Sequence, residues 1–247
     1  MRDRFESIDA SLPTAYRAFA TFLNLGYVPN GAPQRARGGL ALPKLNAAST
    51  RLLFEVIGSC SLDGRAVVEV GAGRGGNLAA IQRHYGPRVL VGADLLFGNT
   101  RFCVEHHDIG SGGFITADSE ALPLQSAAVD VVINIESSHY YPNRRSFFAE
   151  VQRVLAGGGD FLYADILPVD EFERAKTSLA SLGLAIVRDD DITANVVLSC
   201  EEIGRRRAAG RGGGLYDTFV VVPGSPEFDA LASGRTPYRI LALTKPL

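Results

Sequence analysis

The sequence predicts an α/β chain built on a doubly wound, seven-stranded sheet, mostly parallel with an antiparallel last strand, behind an N-terminal helical cap. Three observations carry this expectation. From Asp63 onward, short apolar runs, several rich in Val and Ile, alternate with stretches of helical periodicity, the pattern of parallel strands buried on both faces and joined by crossover helices. The first run is followed at once by Gly71-Ala72-Gly73-Arg74-Gly75-Gly76, a strand-to-helix turn in which bare backbone can approach a ligand. The last run, Tyr238–Thr244, follows a helix and a long connection, which suits a strand inserted antiparallel.

Taken in order, Ser11 is placed to cap a helix running to about Leu25, with Pro13 in its first turn. Pro29 to Pro43 is rich in Gly, Pro and Arg and reads as loop. Leu45 to Ile57 carries Leu45, Leu52, Leu53 and Val56 at helical spacing. Asp63-Gly64 is a turn, and the runs Ala66–Val70, Val89–Ala93, Phe114–Ala117, Val129–Ile135 and Phe161–Ala164 read as strands. Helices are expected at Asn77–Tyr85, around Thr100–His106 and at Ser146–Leu155, the last closed by Gly157-Gly158-Gly159 acting as a C-cap. Asp170 caps a helix to about Leu182, stopped by Gly183, before a strand at Leu184–Val187 and a helix at Thr193–Arg207. Arg205 to Gly214 reads as a mobile loop. The expected organisation is one domain over residues 1–247, with residues 1–60 as the helical cap and 61–247 as a core of Rossmann type.

Composition bounds the function. The chain has 247 residues, enough to bury about 70–75% of its unfolded surface without staples. Its 25 basic and 27 acidic side chains leave a net charge of −2, which argues against a nucleic-acid-binding surface. Three scattered cysteines, Cys60, Cys103 and Cys200, form no C-x-x-C pair, so neither a disulfide framework nor a zinc site is expected. The N-terminus leads into no long apolar stretch, and no run approaches the ~20 apolar residues that span a bilayer. The expectation is a soluble cytoplasmic protein acting on a small molecule; a homo-oligomer is compatible with it.

The glycine turn leaves two readings open. Gly71, Gly73 and Gly76 satisfy the dinucleotide pattern G-x-G-x-x-G, whereas Glu69 with Gly71, Gly73 and Gly75 satisfies E-x-G-x-G-x-G. Asp94, at the end of Val89-Leu90-Val91-Gly92-Ala93-Asp94, is the acid that either nucleotide fold needs to accept from ribose hydroxyls. Two further segments separate the readings: Ile115 to Leu124 (ITADSEALPL), and Phe147 to Leu155 (FFAEVQRVL) followed by three glycines. Together with the E-x-G-x-G-x-G turn they resemble class I S-adenosylmethionine-dependent methyltransferases, where an acid ending the third strand accepts from the adenine amino group. Pro-Gly-Gly is usual where this chain has Gly157-Gly158-Gly159. The resemblance implies S-adenosylmethionine as cofactor, S-adenosylhomocysteine as product, and a binding set of Glu69, Gly71, Gly73, Gly75, Asn77, Asp94, Leu95, Asp118, Ser119 and Asn134.

Ligands on open α/β sheets sit outside the carboxyl ends of the strands. There the chain carries Glu136-Ser137-Ser138-His139-Tyr140-Tyr141-Pro142 after the fourth strand and Asp165 after the fifth. These segments, with Asn24-Leu25-Gly26-Tyr27, resemble actinobacterial natural-product methyltransferases, among them the phthiotriolone and phenolphthiotriolone dimycocerosate type and O-methyltransferases of the rebeccamycin and rifamycin type. The resemblance implies that His139 and Asp165 assist deprotonation of an acceptor hydroxyl on a polyketide, glycoside or lipid. It also leaves open a C-methyltransferase, and a cyclase that keeps the nucleotide as a structural ligand; an NAD-linked oxidoreductase remains the reading of the other glycine pattern. A histidine here can also serve only to shape the substrate wall.

Other features are read more plainly. Phe19, Phe22, Leu23 and Tyr27 form an apolar stripe that either lines a lid or packs on the sheet. Asp189-Asp190-Asp191 has no partner histidine nearby and is expected to be solvated rather than to bind metal.

Overall fold

The structure is a computed structural model describing residues 21–30, 46–209 and 221–247. Helix α1 (Ala47–Ile57) buries Leu52, Leu53, Val56 and Ile57, and Gly58, at φ 55°, ends it. Strand β1 (Ala66–Val70) is buried at all five positions, which makes it central. It is followed by α2 (Gly76–His84), β2 (Val89–Asp94), α3 (Phe97–His106), β3 (Gly112–Thr116) and β4 (Val129–Ile135). A 3-10 turn (Ser138–Tyr140), α4 (Arg144–Val154), β5 (Leu155–Ile166), α5 (Val169–Ser181) and β6 (Ala185–Asp191) come next. Helices α6 (Thr193–Ala208) and α7 (Pro226–Ala232) precede β7 (Tyr238–Thr244).

The seven strands run in the order β3-β2-β1-β4-β5-β7-β6. Neighbours from β3 to β5 pair parallel, and β7 is antiparallel to both β5 and β6. The expected sheet class and antiparallel last strand are therefore present. The order reverses between β1 and β4, the switch point at which such sheets open a crevice.

Alternate residues feed opposite layers, as the pleat requires. Val67 joins Leu52, Leu53, Ile81 and Tyr238 on one face, while Val68 joins Phe147, Phe161, Tyr163 and Phe172 on the other. The second layer is centred on aromatics: Phe147 lies edge-on to Tyr141 and Phe161, with centroids at 4.9 and 6.0 Å. Helix α4 starts two residues before the expected Ser146, because Asn143 supplies the cap and accepts from the Ser146 amide.

Three expectations are corrected. Residues 21–25 are not helical; the rest of the expected first helix lies outside the described residues, as does most of the Pro29–Pro43 loop. This segment is a strap, tied by Gly76 N to Thr21 O (3.1 Å), Tyr27 N to Ala48 O (2.9 Å) and Val28 N to Asn195 O (3.2 Å). Second, Gly157-Gly158-Gly159 is no helix cap. Strand β5 begins at Leu155, and the register jumps from Val129↔Leu155 to Val131↔Asp160, so the glycines form a wide bulge. Gly158 N reaches Lys245 O and Lys245 N reaches Gly159 O, at 2.8 and 2.9 Å, so the partner comes from the far end of the chain. Third, Arg205–Ala208 completes α6 rather than opening a loop, and Gly210–Gly214 lies outside the described residues.

Strand β6 also runs on through the three aspartates. Asp189 meets Lys176 and Arg239 at 3.2 and 2.6 Å, and Asp190 meets Arg188 at 2.6 Å. Charges of this kind protect an edge strand from further pairing. Helix α7 is an element the sequence reading missed, although its start is orthodox: Ser225 accepts from Phe228 N and Pro226 stands in the first turn.

Phe147 is fully buried at the meeting of α4 and the sheet. Phe147→Ala is expected to lower unfolding free energy by about 3–5 kcal/mol, read from urea denaturation.

Candidate functional site

The crevice at the switch point opens into a cavity of about 1160 Å³, above the usual ~300–1,000 Å³ of a small-molecule pocket. It has room for a nucleoside and a second molecule side by side. One wall comes from the ends of β1, β2 and β3, the other from the ends of β4 and β5 with α7 and the strap.

On the first wall the glycine turn takes positive φ at Gly71, Gly73 and Gly75 (77°, 54° and 75°). A Cβ at Gly71 would come within 2.3 Å of Ser137 Oγ and 2.9 Å of Tyr141 Oη, so bare backbone is needed there. Asp94 braces the turn: its carboxylate accepts from Gly73 N (2.8 Å), Leu96 N (2.9 Å) and Asn99 Nδ2 (3.1 Å). Burial raises its pKa against those three hydrogen bonds. Glu69 is buried and accepts from Asn77 Nδ2 at 2.6 Å. Burial pushes its pKa up to about 8 despite that bond. Glu69 Oε2 and Asn77 Oδ1 are both buried acceptors without a protein partner, a costly arrangement unless a donor fills it. Arg74 stacks its guanidinium 3.5 Å over the Phe102 ring.

On the second wall His139 Nδ1 lies 2.5 Å from Asp165 Oδ1. Asp165 is fully buried and also accepts from Ser138 Oγ (2.6 Å), His139 N (3.2 Å) and Ile166 N (2.8 Å). Burial alone would raise its pKa, but the charge and hydrogen bond of His139, with the other donors, hold it low. An ionised carboxylate can only accept, so Nδ1 carries the proton and Nε2 is left as the basic nitrogen. For His139 burial pulls the pKa down, but Asp165 and Glu136 outweigh it and the pKa stands above its ordinary value.

Most of the expected residues meet at this cavity: Glu69, Gly71, Gly73, Asn77, Asp94, Leu95, Asp118, Ser119 and His139 line it. Asp118 stands exposed at the rim, accepting from Glu120 N at 2.9 Å. Three others are placed differently. Gly75 turns away, and a Cβ there would meet the His107 ring at 2.7 Å and Cys103 Sγ at 3.0 Å; its bareness serves packing against the end of α3. Asn134 is fully buried beneath the cavity, donating to Val70 O at 2.8 Å and Ser137 Oγ at 2.7 Å. It ties β4 to β1 and does not line the site. Asp165 sits behind His139 and also does not line it.

The sequence reading missed Glu136 as a site residue. It lines the cavity at φ 50°, a conformation that costs a non-glycine residue ~1–3 kcal/mol and gathers at functional sites. Its Oε1 accepts from Leu25 N and Tyr238 Oη, each at 2.9 Å, and burial pushes its pKa up to about 7. Its glutamate was visible in the Glu-Ser-Ser-His run, but its strain and its long-range partners were not. Strap residues Thr21 to Leu25 and the end of α7 also line the cavity. Among the described residues no cluster of three His, Cys, Asp or Glu could hold a metal ion, and no helix is long and apolar enough to cross a membrane.

Residues 68–163 match the model of the methyltransferase domain family. The chain is 32% identical over 213 residues to the phthiotriol/phenolphthiotriol dimycocerosates methyltransferase of Mycobacterium tuberculosis, covering 81% of this chain and 77% of that one. It is 35% identical over 187 residues to the fatty-acid O-methyltransferase of Mycolicibacterium smegmatis, covering 73% and 65%. A probable phthiotriol/phenolphthiotriol dimycocerosates methyltransferase 2 of Mycobacterium ulcerans is 38% identical over 136 residues, and the match spans 53% of its length. In structure, the chain is similar to geranyl diphosphate C-methyltransferase from Streptomyces coelicolor A3(2), solved with Mg2+, geranyl diphosphate and S-adenosylhomocysteine. The TM-score is 0.70 at 16% identity, over 99% of this chain and 97% of that one, a likeness of fold.

The cradle can be tested apart from activity. Gly71→Ala adds a clash with Ser137 to the strain of positive φ, whereas Gly64, at φ 72° with nothing within 4 Å of its would-be Cβ, adds strain alone. Thermal unfolding should show Gly64→Ala costing about 1 kcal/mol and Gly71→Ala a further ~1–3 kcal/mol.

Proposed function

Because the chain belongs to the class I S-adenosylmethionine-dependent methyltransferase family, we propose that it moves a methyl group from S-adenosylmethionine to a hydroxyl of a small natural product, a polyketide, glycoside or lipid, with His139 and Asp165 assisting removal of the hydroxyl proton. The observation that carries this reading is the 2.5 Å contact between the buried Asp165 and His139, which lines the same cavity as the glycine cradle. The kinship with a fatty-acid O-methyltransferase and with enzymes named for phthiotriol substrates supports a hydroxyl- or carboxyl-bearing lipid-like acceptor.

The chain's own groups fit the donor. The unpartnered acceptors Glu69 Oε2 and Asn77 Oδ1 suit an ammonium group, whose charge would draw the Glu69 proton off. Asp94 uses three of its roughly four acceptor positions on Gly73, Leu96 and Asn99, which leaves one, on the Oδ2 that also takes Gly73 N, for a ribose hydroxyl. Asp118 and Ser119 line the same cavity beyond the end of β3 and would accept from an adenine amino group. Gly71 and Gly73 let the turn pass close beneath. When bound, S-adenosylmethionine supplies an electrophilic methyl group on a sulfonium sulfur.

The chain then has two tasks. Holding the acceptor oxygen in line can be worth ~7–11 kcal/mol, and walls contributed by both halves of the cavity suit that. Taking the proton falls to His139 Nε2, with Asp165 fixing the tautomer and stabilising the imidazolium, a contribution of ~10²–10⁴ in rate.

Two outcomes are expected. Calorimetric titration should give binding of S-adenosylhomocysteine and none of NAD, with Asp94→Ala weakening the former at least tenfold; the reverse preference overturns the assignment. In methyl-transfer assays His139→Gln should lower kcat by ~10²–10⁴. Since the base must be neutral, kcat/KM should fall as pH drops through the His139 pKa, which Asp165 holds above 6.5. Asp165→Asn removes that support and should move the acidic limb to lower pH. Unchanged turnover in His139→Gln, or an unmoved limb in Asp165→Asn, counts against the base.

A further inference from the structure

The acceptor half of the cavity is apolar in its walls and acidic in its charge. Leu25, Ile166, Val221, Ala230 and Leu231 form the walls, and Glu136 and Glu227 line it as well. Asp165 lies directly behind His139. Arg74 belongs to the other half, stacked on Phe102 next to the glycine turn.

Glu136 is the group best placed to judge what enters. Both of its protein hydrogen bonds fall on Oε1, from Leu25 N and Tyr238 Oη, so Oε2 is left to the cavity. Its backbone stands at φ 50°, a conformation that gathers at functional sites. Its neighbours bring the strap, β7 and β4 together at this one carboxylate.

We propose that Glu136 selects the acceptor by charge, accepting a hydrogen bond from a neutral, hydroxyl-bearing apolar molecule and turning away a carboxylate or phosphate of the same size. Once Glu136 is ionised, above its pKa of about 7, two like charges a few ångströms apart in a half-buried site repel by more than a factor of ten in affinity, and a deprotonated carboxylate has no proton to give to Oε2. This inference rests on the methyl-transfer reading only in taking this half of the cavity as the acceptor's place. It divides the functional kinships: the chain would act on alcohols and not on free fatty acids.

The test uses the full chain saturated with S-adenosylhomocysteine at pH 8.5, above the Glu136 pKa of about 7. Octan-1-ol, octanoate and octylammonium are titrated by ligand-observed NMR. The expected order of affinity is octylammonium at least equal to octan-1-ol, and octan-1-ol at least tenfold above octanoate. Glu136→Gln keeps an oxygen for Leu25 and Tyr238 and should bring octanol and octanoate within threefold, mainly by improved octanoate binding. The ranking of three probes on the unaltered protein stands even if the variant fails to fold. Octanoate binding as well as or better than octanol, an unchanged ratio in Glu136→Gln, or no probe binding at all overturns the inference. Failure to bind S-adenosylhomocysteine in the first place overturns the methyltransferase reading instead.

Discussion

The absence of a side chain at Gly71 is the constraint from which the site follows. It lets the turn after β1 nest against Ser137 and Tyr141 after β4, two strands adjacent in the sheet but distant in the chain. Asn134 completes the join from below, reaching Val70 O and Ser137 Oγ. With the turn held there, its amides and Asp94 face one half of the cavity while His139 faces the other. A methyl here would separate the two halves, and the reacting partners they would hold.

Four buried or nearly buried carboxylates stand at the carboxyl ends of these strands, and their surroundings sort them. Asp165, beside His139 and three other donors, stays ionised. Glu69 and Glu136, with fewer donors, are pushed toward the protonated form, and burial raises Asp94 as well, against three hydrogen bonds. Burying acids at one end of a sheet costs folding free energy, so their concentration here is better explained by ligands than by packing. The opposite end of the sheet uses its charges conventionally, as in the 2.7 Å pair Arg65–Asp160.

Access to the cavity depends on pieces far apart in sequence. The strap at Thr21–Leu25, the end of β4 and the start of β7 converge on Glu136, and Ser199 of α6 holds Leu25 O at 2.7 Å. The strap is thus tied directly to the wall that carries Glu136. Helix α7 adds Ala230 and Leu231 to the cavity lining, so the elements that shape this half of the cavity are far apart in the chain.

Much of this was legible in the residues. The apolar runs located six of seven strands to within two residues at their starts, β5 with its start at Leu155 being the exception. In β1 and β4 burial on both faces writes itself into composition, whereas β3 and β6 are edge strands, half-buried or exposed, and were marked by their short apolar runs alone. The glycine turn, Asp94, Asp118, His139 and Asp165 announced themselves by position relative to strand ends. What pattern could not supply was anything settled by a distant partner. The glycine triplet reads as a cap until Lys245 pairs with it; Asn134 and Gly75 read as ligand contacts until packing turns them inward; Glu136 reads as one acid among several until the fold bends its backbone and brings Leu25 and Tyr238 to it. Sequence by itself determined the sheet, the glycine turn and the His139–Asp165 pair at the cavity wall, since each depends on local periodicity or on a strand end. Tertiary structure alone decided which side chains face the cavity and with what charge, since that depends on which remote groups bury or bond them.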